Sequence, residues 1–130
     1  MEAIPGPVEF SIGDAIKNLG KPGFAAALAQ VFHRIAAPDN VIVLAYRNVA
    51  PPTVLFRQSV MPYVFAKIEA TYLSGAYLLD PFFDLHLRKV PCGCYRMRDV
   101  APDAFLRSRY FVEYYDQTTL IDEIGFVAYP

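Results

Sequence analysis

Val41-Ile-Val-Leu-Ala-Tyr46, Asn48-Val-Ala-Pro-Pro52 and Thr53-Val-Leu-Phe-Arg57 follow one another in the first half of the chain and predict a β-hairpin. The first and third stretches are rich in β-branched and apolar residues, as is typical of strands. The consecutive prolines between them favour a turn, because proline fixes its own backbone and cannot donate a hydrogen bond to a sheet. The chain is therefore expected to contain a sheet.

Helical patterns lie on both sides of this hairpin. Before it, we expect a short helix around residues 14–19 and a second helix that begins near Pro22 and ends at residues 36–38. After it, Pro62 begins a helix that Gly75 ends. Apolar side chains recur at helical spacing in the two longer helices, at Phe24, Leu28, Val31, Phe32 and Ile35 in one and at Val64, Phe65, Ile68 and Tyr72 in the other.

The second half of the chain predicts short helices and short extended segments. Asp80-Pro81 is a capping residue followed by a first-turn proline, and it predicts a helix that runs to Arg88. Further elements are expected at residues 95–98 (extended), from Pro102 (a small helix), after Ser108 (a capped helix) and at residues 125–129 (a strand). This order predicts an α+β fold in which a central antiparallel sheet carries helices.

The last predicted strand ends at Pro130, with no strand after it to pair with. An unpaired sheet edge exposes backbone donors and acceptors and invites pairing with another chain. We therefore expect residues 1–130 to form a single domain that is truncated at its C-terminal end. Completion of the sheet by a second subunit is the alternative.

The composition narrows the possible functions. The 130 residues are 55% hydrophobic and 19% charged, which is typical of one globular domain. The net charge of −1 lacks the basic field that nucleic-acid binding usually needs. The apolar runs are too short to cross a bilayer, and residues 1–7 lack a basic signal-peptide start, so a cytoplasmic protein is expected. A disulfide across Cys92-Gly-Cys94 would be strained, which favours reduced thiols.

Aromatic and guanidinium side chains are concentrated in residues 72–115. Phenol rings bury a large apolar area and keep a polar tip, so a cluster of them is suited to line a cavity for a partly polar organic ligand. This density indicates a binding pocket rather than a catalytic site. The rings are Tyr72, Tyr77, Phe82, Phe83, Tyr95, Phe105, Tyr110, Phe111, Tyr114 and Tyr115, and the arginines are Arg88, Arg96, Arg98, Arg107 and Arg109.

Several separated motifs occur in the order found in one family of regulators. They are Tyr77-Leu-Leu-Asp-Pro-Phe-Phe83, Tyr95-Arg-Met-Arg-Asp-Val-Ala-Pro-Asp-Ala-Phe105, Arg107-Ser-Arg-Tyr-Phe111, Tyr114-Tyr115 and Asp122-Glu-Ile-Gly-Phe126. Together they resemble the N-terminal sensor region of LuxR-type transcriptional regulators. The resemblance implies a GAF- or PAS-like domain that binds a small molecule, forms a homodimer and precedes a DNA-binding helix-turn-helix, which this chain lacks.

The same resemblance suggests where a ligand would bind. In the quorum-sensing branch, the aspartate of an Asp-Pro pair accepts a hydrogen bond from the amide of the signal, with a tyrosine and a tryptophan beside it. Asp80-Pro81 matches this pair and Tyr72 stands near the place of the tyrosine, but the chain has no tryptophan, so the ligand is left open. The expected ligand-binding residues, between the sheet and the helices of residues 62–88, are Tyr72, Tyr77, Asp80, Phe83, Phe65 and Ile68.

These residues also have simpler interpretations. Asp80 is suited to cap the helix that begins at Pro81, and the two roles can coexist because they use different oxygens. Aromatic residues at helical spacing, such as Tyr72 and Tyr77, often form ordinary core. The alternative to a sensor is accordingly a ligand-free dimerisation or protein-interaction module.

No catalytic, metal or cofactor site is expected. His86, Cys92 and Cys94 supply three possible ligands, whereas structural zinc usually needs four. The possible nucleophiles and the bases His33 and His86 show no recognised spacing, so an enzyme is not expected. The arginines, among them Arg96 and Arg98, are expected to form surface ion pairs rather than an anion site.

Overall fold

Short helices and two two-stranded sheets make up the fold, seen in a computed structural model that describes residues 7–101, 105–118, 120 and 122–129. This combination confirms the predicted α+β class. The described strands pair two by two, as β1–β2 and β3–β4, and not in the one central sheet expected from the sequence. The chain forms two compact units, which comprise Met1–Ala45 with Val54–Met61 and Tyr46–Thr53 with Pro62–Pro130. We call them unit 1 and unit 2.

Unit 1 contains two helices that pack together and most of the predicted hairpin. Helix α1 spans Val8–Lys17, which is six residues earlier than expected, with Glu9 favourably placed in its first turn. Helix α2 spans Phe24–Ala36 and ends where Ala37 adopts a left-handed backbone with φ of 44°, as the pattern predicted. Strand β1, Asn40–Ala45, pairs with β2, Thr53–Ser59.

Unit 2 begins its helical part with a π-turn rather than the predicted α-helix. Residues 62–67 form turns, and the π-helix spans Ile68–Tyr72, with the Leu73 amide donating to the Ile68 carbonyl at 2.8 Å. Aromatic and β-branched residues lose side-chain freedom in an α-helix, and the wider turn here buries both Ile68 and Tyr72. The prediction of a continuous helix from Pro62 to Gly75 is therefore wrong.

The next helix follows its capping signal closely. A 3₁₀ turn at Ala76–Leu79 leads to α3, Pro81–Leu87. The Asp80 Oδ1 atom accepts a hydrogen bond from the Phe82 amide at 2.9 Å, which confirms the predicted cap. Helix α3 buries Pro81, Phe82, Phe83 and Leu85, which form much of the core of unit 2.

The rest of unit 2 alternates short helices with the second sheet. Strand β3, Gly93–Arg96, pairs antiparallel with β4, Ile124–Val127, in the register Gly93↔Val127 to Arg96↔Ile124. Ser108 caps α5 as predicted, because its Oγ accepts from the Phe111 amide at 3.1 Å. Other elements are α4, Met97–Val100, α5, Arg109–Glu113, and 3₁₀ turns at Phe105–Arg107 and Tyr115–Thr118.

Two sequence predictions concern residues at the edges of this description. The small helix expected from Pro102 begins outside the described residues. Pro130, where the last predicted strand ends, also lies outside them. Within the described residues, no helix has the length and apolar character needed to cross a bilayer.

Candidate functional site

Asp80 is a buried acid of unit 2 whose two carboxylate oxygens both accept hydrogen bonds. It is only 5% exposed, and its Oδ1 atom accepts from the Phe82 amide at 2.9 Å. Its Oδ2 atom accepts a short hydrogen bond from the Tyr72 hydroxyl, and the Tyr110 hydroxyl also bonds the carboxylate. Because separate oxygens serve the helix cap and Tyr72, capping leaves Oδ2 available to the tyrosine.

The pKa of Asp80 reflects two opposing causes. Burial removes water from the carboxylate and raises its pKa from 3.8 to about 6, while the hydrogen bonds from Tyr72, Phe82 and Tyr110 act in the opposite direction. The same burial, with the nearby Asp80 charge, raises the pKa of Tyr72 and Tyr110 well above 10, so both phenols keep their protons and can donate. The Tyr46 and Tyr72 hydroxyls are hydrogen-bonded as well.

Aromatic rings surround this carboxylate. The Tyr72 ring lies 5.2 Å from that of Tyr114 and 6.5 Å from those of Tyr77 and Tyr110, measured between centroids. Tyr77 meets Phe83 edge to face at 5.1 Å. Each such pair adds about 0.5–1.5 kcal/mol beyond its buried area, so the cluster is held firmly even without a ligand.

A histidine supports the cluster from its other side. The His86 ring stacks on Tyr46 with centroids 5.0 Å apart, and its Nε2 bonds the Asn48 carbonyl at 2.7 Å. His86 also lies 5.7 Å from Phe83. These contacts hold the Tyr46 ring and the turn that follows it, which gives His86 a structural role.

The structure brings together four of the six predicted binding residues: Tyr72, Tyr77, Asp80 and Phe83. Ile68 is buried one turn before Tyr72 with 2% exposure, and Phe65 is half-buried. All six belong to unit 2, and contact with a ligand stays a prediction for each of them.

Glu123 is a half-buried acid that the sequence analysis missed. Side chains alternate along residues 122–127, with Asp122, Ile124 and Phe126 exposed and Glu123, Gly125 and Val127 half-buried. Gly125 shows where the half-buried face points, since a Cβ there would lie 2.5 Å from Cε1 of Phe82. Glu123 shares this half-buried face of the extended segment with Gly125, which lies close to α3.

Glu123 and Asp122 have opposite electrostatic environments although they are adjacent. Burial, followed by the charges of Asp80 and Asp122, raises the pKa of Glu123 from 4.5 to about 8. Asp122 lies on the outer face, where the Arg96 guanidinium bonds its Oδ2 at 2.7 Å and lowers its pKa. The alternation across β4 was the only sequence signal for Glu123.

The Tyr115 hydroxyl is a further polar group in the interior of unit 2. Its hydroxyl is buried and has no hydrogen-bond partner in the described part of the chain. The charge of Glu123 is the largest cause, after burial, of its raised pKa. A buried hydroxyl without a partner costs about 1–3 kcal/mol, so this one is a candidate contact for a water or a ligand.

An open groove lies on the surface of unit 2 above the ring cluster. It has a volume of about 400 Å³, and Arg109 and Glu113, which form an ion pair at 3.3 Å, contribute to its wall. Tyr110 belongs both to the groove and to the Asp80 hydrogen-bond network. The other lining residues are Ala70, Thr71, Ser74, Gly75, Ala76, Leu78 and Leu79.

The groups considered for other chemistry have structural partners or lie exposed. His33 Nε2 bonds Gln58 Oε1 at 2.9 Å in unit 1, and Ser74 Oγ donates to the Ala70 carbonyl at 2.7 Å. Cys92 and Cys94 are both exposed thiols. Across the described ranges, His, Cys, Asp and Glu form no group of three that could hold a metal.

Comparisons with known proteins identify a fold neighbour. The structure matches the crystal structure of the VqsR LBD domain from Pseudomonas aeruginosa with a TM-score of 0.73 and 24% sequence identity, over 94% of this chain and 71% of that chain. No protein-family model matches the sequence. No curated protein matches it either. At this identity the likeness establishes a shared fold alone.

Proposed function

We propose that this chain is the signal-sensing domain of a cytoplasmic LuxR-type transcriptional regulator. It binds a small organic molecule in unit 2, forms a homodimer and controls a DNA-binding region that lies outside this chain. The domain is of the GAF/PAS-like kind that the sequence motifs imply, and it acts by binding rather than by catalysis.

The buried Asp80 carboxylate in its cage of tyrosines is the observation that carries this proposal. A carboxylate costs free energy when it leaves water, and a core that needed only stability would be served by apolar residues. Here the Tyr72 hydroxyl holds Oδ2 and Tyr110 also bonds the carboxylate, which prepares an acceptor for an amide or hydroxyl donor. The fold shared with the VqsR LBD domain is consistent with this proposal.

A signal would act through the segments that hold the acid. Tyr72 ends the π-turn, Asp80 begins α3 and Tyr110 lies in α5, so one ligand contact at Asp80 is connected to three elements. A ligand that binds one packing of these elements more tightly than another shifts the population between them. In a dimer, such a shift reaches the attached DNA-binding region.

Thermal unfolding in the presence of compounds tests ligand binding. The compounds are fractions of a cell extract and acyl molecules that include acyl-homoserine lactones. A ligand present at a hundred times its Kd stabilises the folded state by about 2.7 kcal/mol, which raises the melting temperature by several degrees.

Two variants make this test specific. Asp80→Asn keeps an acceptor for the Phe82 amide but removes the charge from the ring cluster. Asp84→Asn removes an exposed acid of the same helix, whose partner is Arg88 at 2.8 Å, and serves as the matched control. We expect a ligand to stabilise the wild type and Asp84→Asn but not Asp80→Asn. The proposal fails if no compound stabilises the protein, or if Asp80→Asn responds like the wild type.

A ligand-free dimerisation module is the second candidate, because α1 and the turn that follows it expose apolar side chains. Phe10, Ile16 and Leu19 are 69%, 61% and 60% exposed. Light scattering distinguishes the two functions: a module of this kind is a dimer without any ligand, and Ile16→Asp makes it monomeric. A wild-type monomer that no compound dimerises would count against dimerisation in either function.

A further inference from the structure

We propose that Tyr110 acts as an internal ligand, and that a small phenolic molecule entering from the surface groove of unit 2 competes with it for Asp80. This inference rests on the proposed sensing function and specifies the chemical class of the ligand. The tyrosine side chain itself shows how such a molecule would bind.

Tyr110 stands between the groove and the Asp80 carboxylate. It contributes to the lining of the groove, and its hydroxyl bonds Asp80. Tyr72 bonds the same carboxylate but is not among the residues that line the groove, and neither is Asp80. Both Asp80 and Tyr110 are at most 5% exposed. A molecule in the groove therefore reaches the carboxylate by taking the place of the Tyr110 side chain.

The surroundings of the Tyr110 side chain suit a phenol. The centroid of its ring lies 5.5 Å from that of Tyr114, 6.0 Å from Tyr115, 6.1 Å from Phe105 and 6.5 Å from Tyr72. The site thus offers rings to an aromatic body and the buried Asp80 acceptor to a hydroxyl at one end of it. An apolar ligand would leave that acceptor without this hydrogen bond, and a carboxylate ligand would meet a charge of its own sign.

The groove has room for a ligand, and the helix that carries Tyr110 is short. Its volume of about 400 Å³ falls within the range of roughly 300–1,000 Å³ that is typical of ligand pockets. Helix α5 has five residues, and Tyr110 is its buried residue. The side chain of Tyr110 is therefore the main attachment of α5 to the interior. The Arg109–Glu113 pair of the same helix is exposed and contributes little.

Exchange of Tyr110 for a ligand would change a link between two helices. Asp80 caps α3 and Tyr110 lies in α5, so their hydrogen bond joins the two. A phenol in the place of Tyr110 keeps the Asp80 carboxylate paired while it frees α5. The concentration of the phenol then sets the equilibrium between the two arrangements, and the internal competitor lowers the apparent affinity of the ligand.

Titration of p-cresol and toluene into Tyr110→Ala tests the site directly. p-Cresol has the structure of the missing side chain, and toluene is the same molecule without its hydroxyl. We expect p-cresol to bind this variant about ten- to hundred-fold more tightly than toluene, because it restores a hydrogen bond to a buried charge. NMR chemical shifts give both Kd values, and the amides of Thr71, Ala76 and Leu78 report on the groove.

Tyr114→Ala is the matched control. Tyr114 is also 5% exposed or less, and its ring lies 5.2 Å from that of Tyr72. The hydrogen bonds to Asp80 come from Tyr72, Phe82 and Tyr110, and not from Tyr114. A cavity at this position offers rings without a free acceptor, so p-cresol and toluene should bind Tyr114→Ala within about three-fold of each other.

Competition with the internal ligand is tested in the wild type. Tyr110→Phe keeps the ring and removes the hydroxyl that bonds Asp80, so we expect it to bind p-cresol about ten- to hundred-fold more tightly than the wild type does. Tyr95→Phe removes a hydroxyl that bonds the Pro91 carbonyl at 2.7 Å, and it should match the wild type within about two-fold. This pair of variants gives a second readout if Tyr110→Ala folds poorly.

The failures of the two proposals are distinguishable. The phenol assignment is overturned if Tyr110→Ala binds toluene as tightly as p-cresol, or if Tyr114→Ala shows the same preference. It is also overturned if the wild type binds no p-cresol up to the solubility limit, or if Tyr110→Phe binds it no more tightly than the wild type. In each case the sensing function stands if an extract compound stabilises the wild type. If neither p-cresol nor any extract compound binds the wild type, both proposals are overturned.

Discussion

Asp80 and Glu123 are two interior acids of one unit, and they are held in opposite ways. Asp80 accepts from the Phe82 amide and from two tyrosine hydroxyls, and its pKa rises only to about 6. Glu123 has acidic neighbours and no recorded donor to its carboxyl in the described chain, and its pKa rises to about 8. Burial thus has a different outcome according to the partners supplied: hydrogen bonds to the carboxylate limit the rise in the pKa of Asp80, and no such bonds from the described residues limit the rise for Glu123.

Loss of the Asp80 carboxyl should have the largest effect. Asp80→Ala leaves the Tyr72 and Tyr110 hydroxyls and the Phe82 amide without their acceptor, each buried or part of a helix cap. We expect the free energy of unfolding to fall by about 3–5 kcal/mol, measured by urea denaturation at pH 7. Asp84→Ala, on an exposed position of the same helix, should cost less than about 1 kcal/mol. A loss below 1 kcal/mol for Asp80→Ala would refute its structural role.

Adding a side chain at Gly125 should have the next largest effect on stability. Gly125→Ala places a Cβ 2.5 Å from the Phe82 ring and forces the sheet and α3 apart, at a cost of about 1–3 kcal/mol. Gly13→Ala is the matched control in α1, where a new Cβ meets nothing within 4 Å and alanine should stabilise the helix by about 0.5–1 kcal/mol. Equal urea midpoints for the two variants would mean that Gly125 does not contact Phe82 closely.

The charge of Glu123 should make stability depend on pH. Its pKa in the folded state is about 8, above the ordinary 4.5, so the folded state favours the protonated acid. The stability that this provides is present at low pH and is lost as pH rises through about 8. Glu123→Gln should therefore melt near the wild-type temperature at pH 4 and be more stable by about 1–2 kcal/mol at pH 8.5. Scanning calorimetry from pH 4 to pH 9 checks this, and parallel curves for the two proteins would contradict it.

Two tyrosine hydroxyls should give the smallest and most informative difference. Tyr110→Phe removes a donor to Asp80 and should cost about 1–2 kcal/mol. Tyr115→Phe removes a buried hydroxyl that has no partner and should be neutral or stabilise by up to about 1 kcal/mol. Denaturant unfolding of both variants decides the matter, and a larger loss for Tyr115→Phe would reveal a partner for that hydroxyl.

Local signals in the sequence identified one of the two acids and missed the other. Asp80 was recognisable because a capping residue before Pro81 acts over two residues, and the structure places the predicted bond there. The depth of Glu123 depends on the pairing of β3 with β4, about thirty residues apart in the chain, and on the contact of Gly125 with Phe82. Neither contact has a local pattern, so a lone glutamate beside an aspartate was indistinguishable from a surface acid.

The same distinction separates the elements that were predicted from those that were not. Helix α2 and the caps at Asp80 and Ser108 follow from short-range patterns, and all three are confirmed. The segment after Pro62 carries helical spacing in its apolar residues, but spacing alone does not distinguish an α-turn from a π-turn. The alternation of apolar and polar residues likewise does not predict which strands pair, and the strands form two separate sheets.

Because Tyr72 ends the π-turn at Ile68–Tyr72, the direction of its side chain depends on the number of residues in that turn. Each residue of a helix turns the next side chain by roughly 100°, so removing one residue from this segment would convert the turn to an ordinary α-turn and swing Tyr72 away from Asp80. Length in this short segment is therefore under a stricter constraint than identity: a changed side chain alters one contact, whereas a single-residue deletion would misdirect the whole hydroxyl network at once.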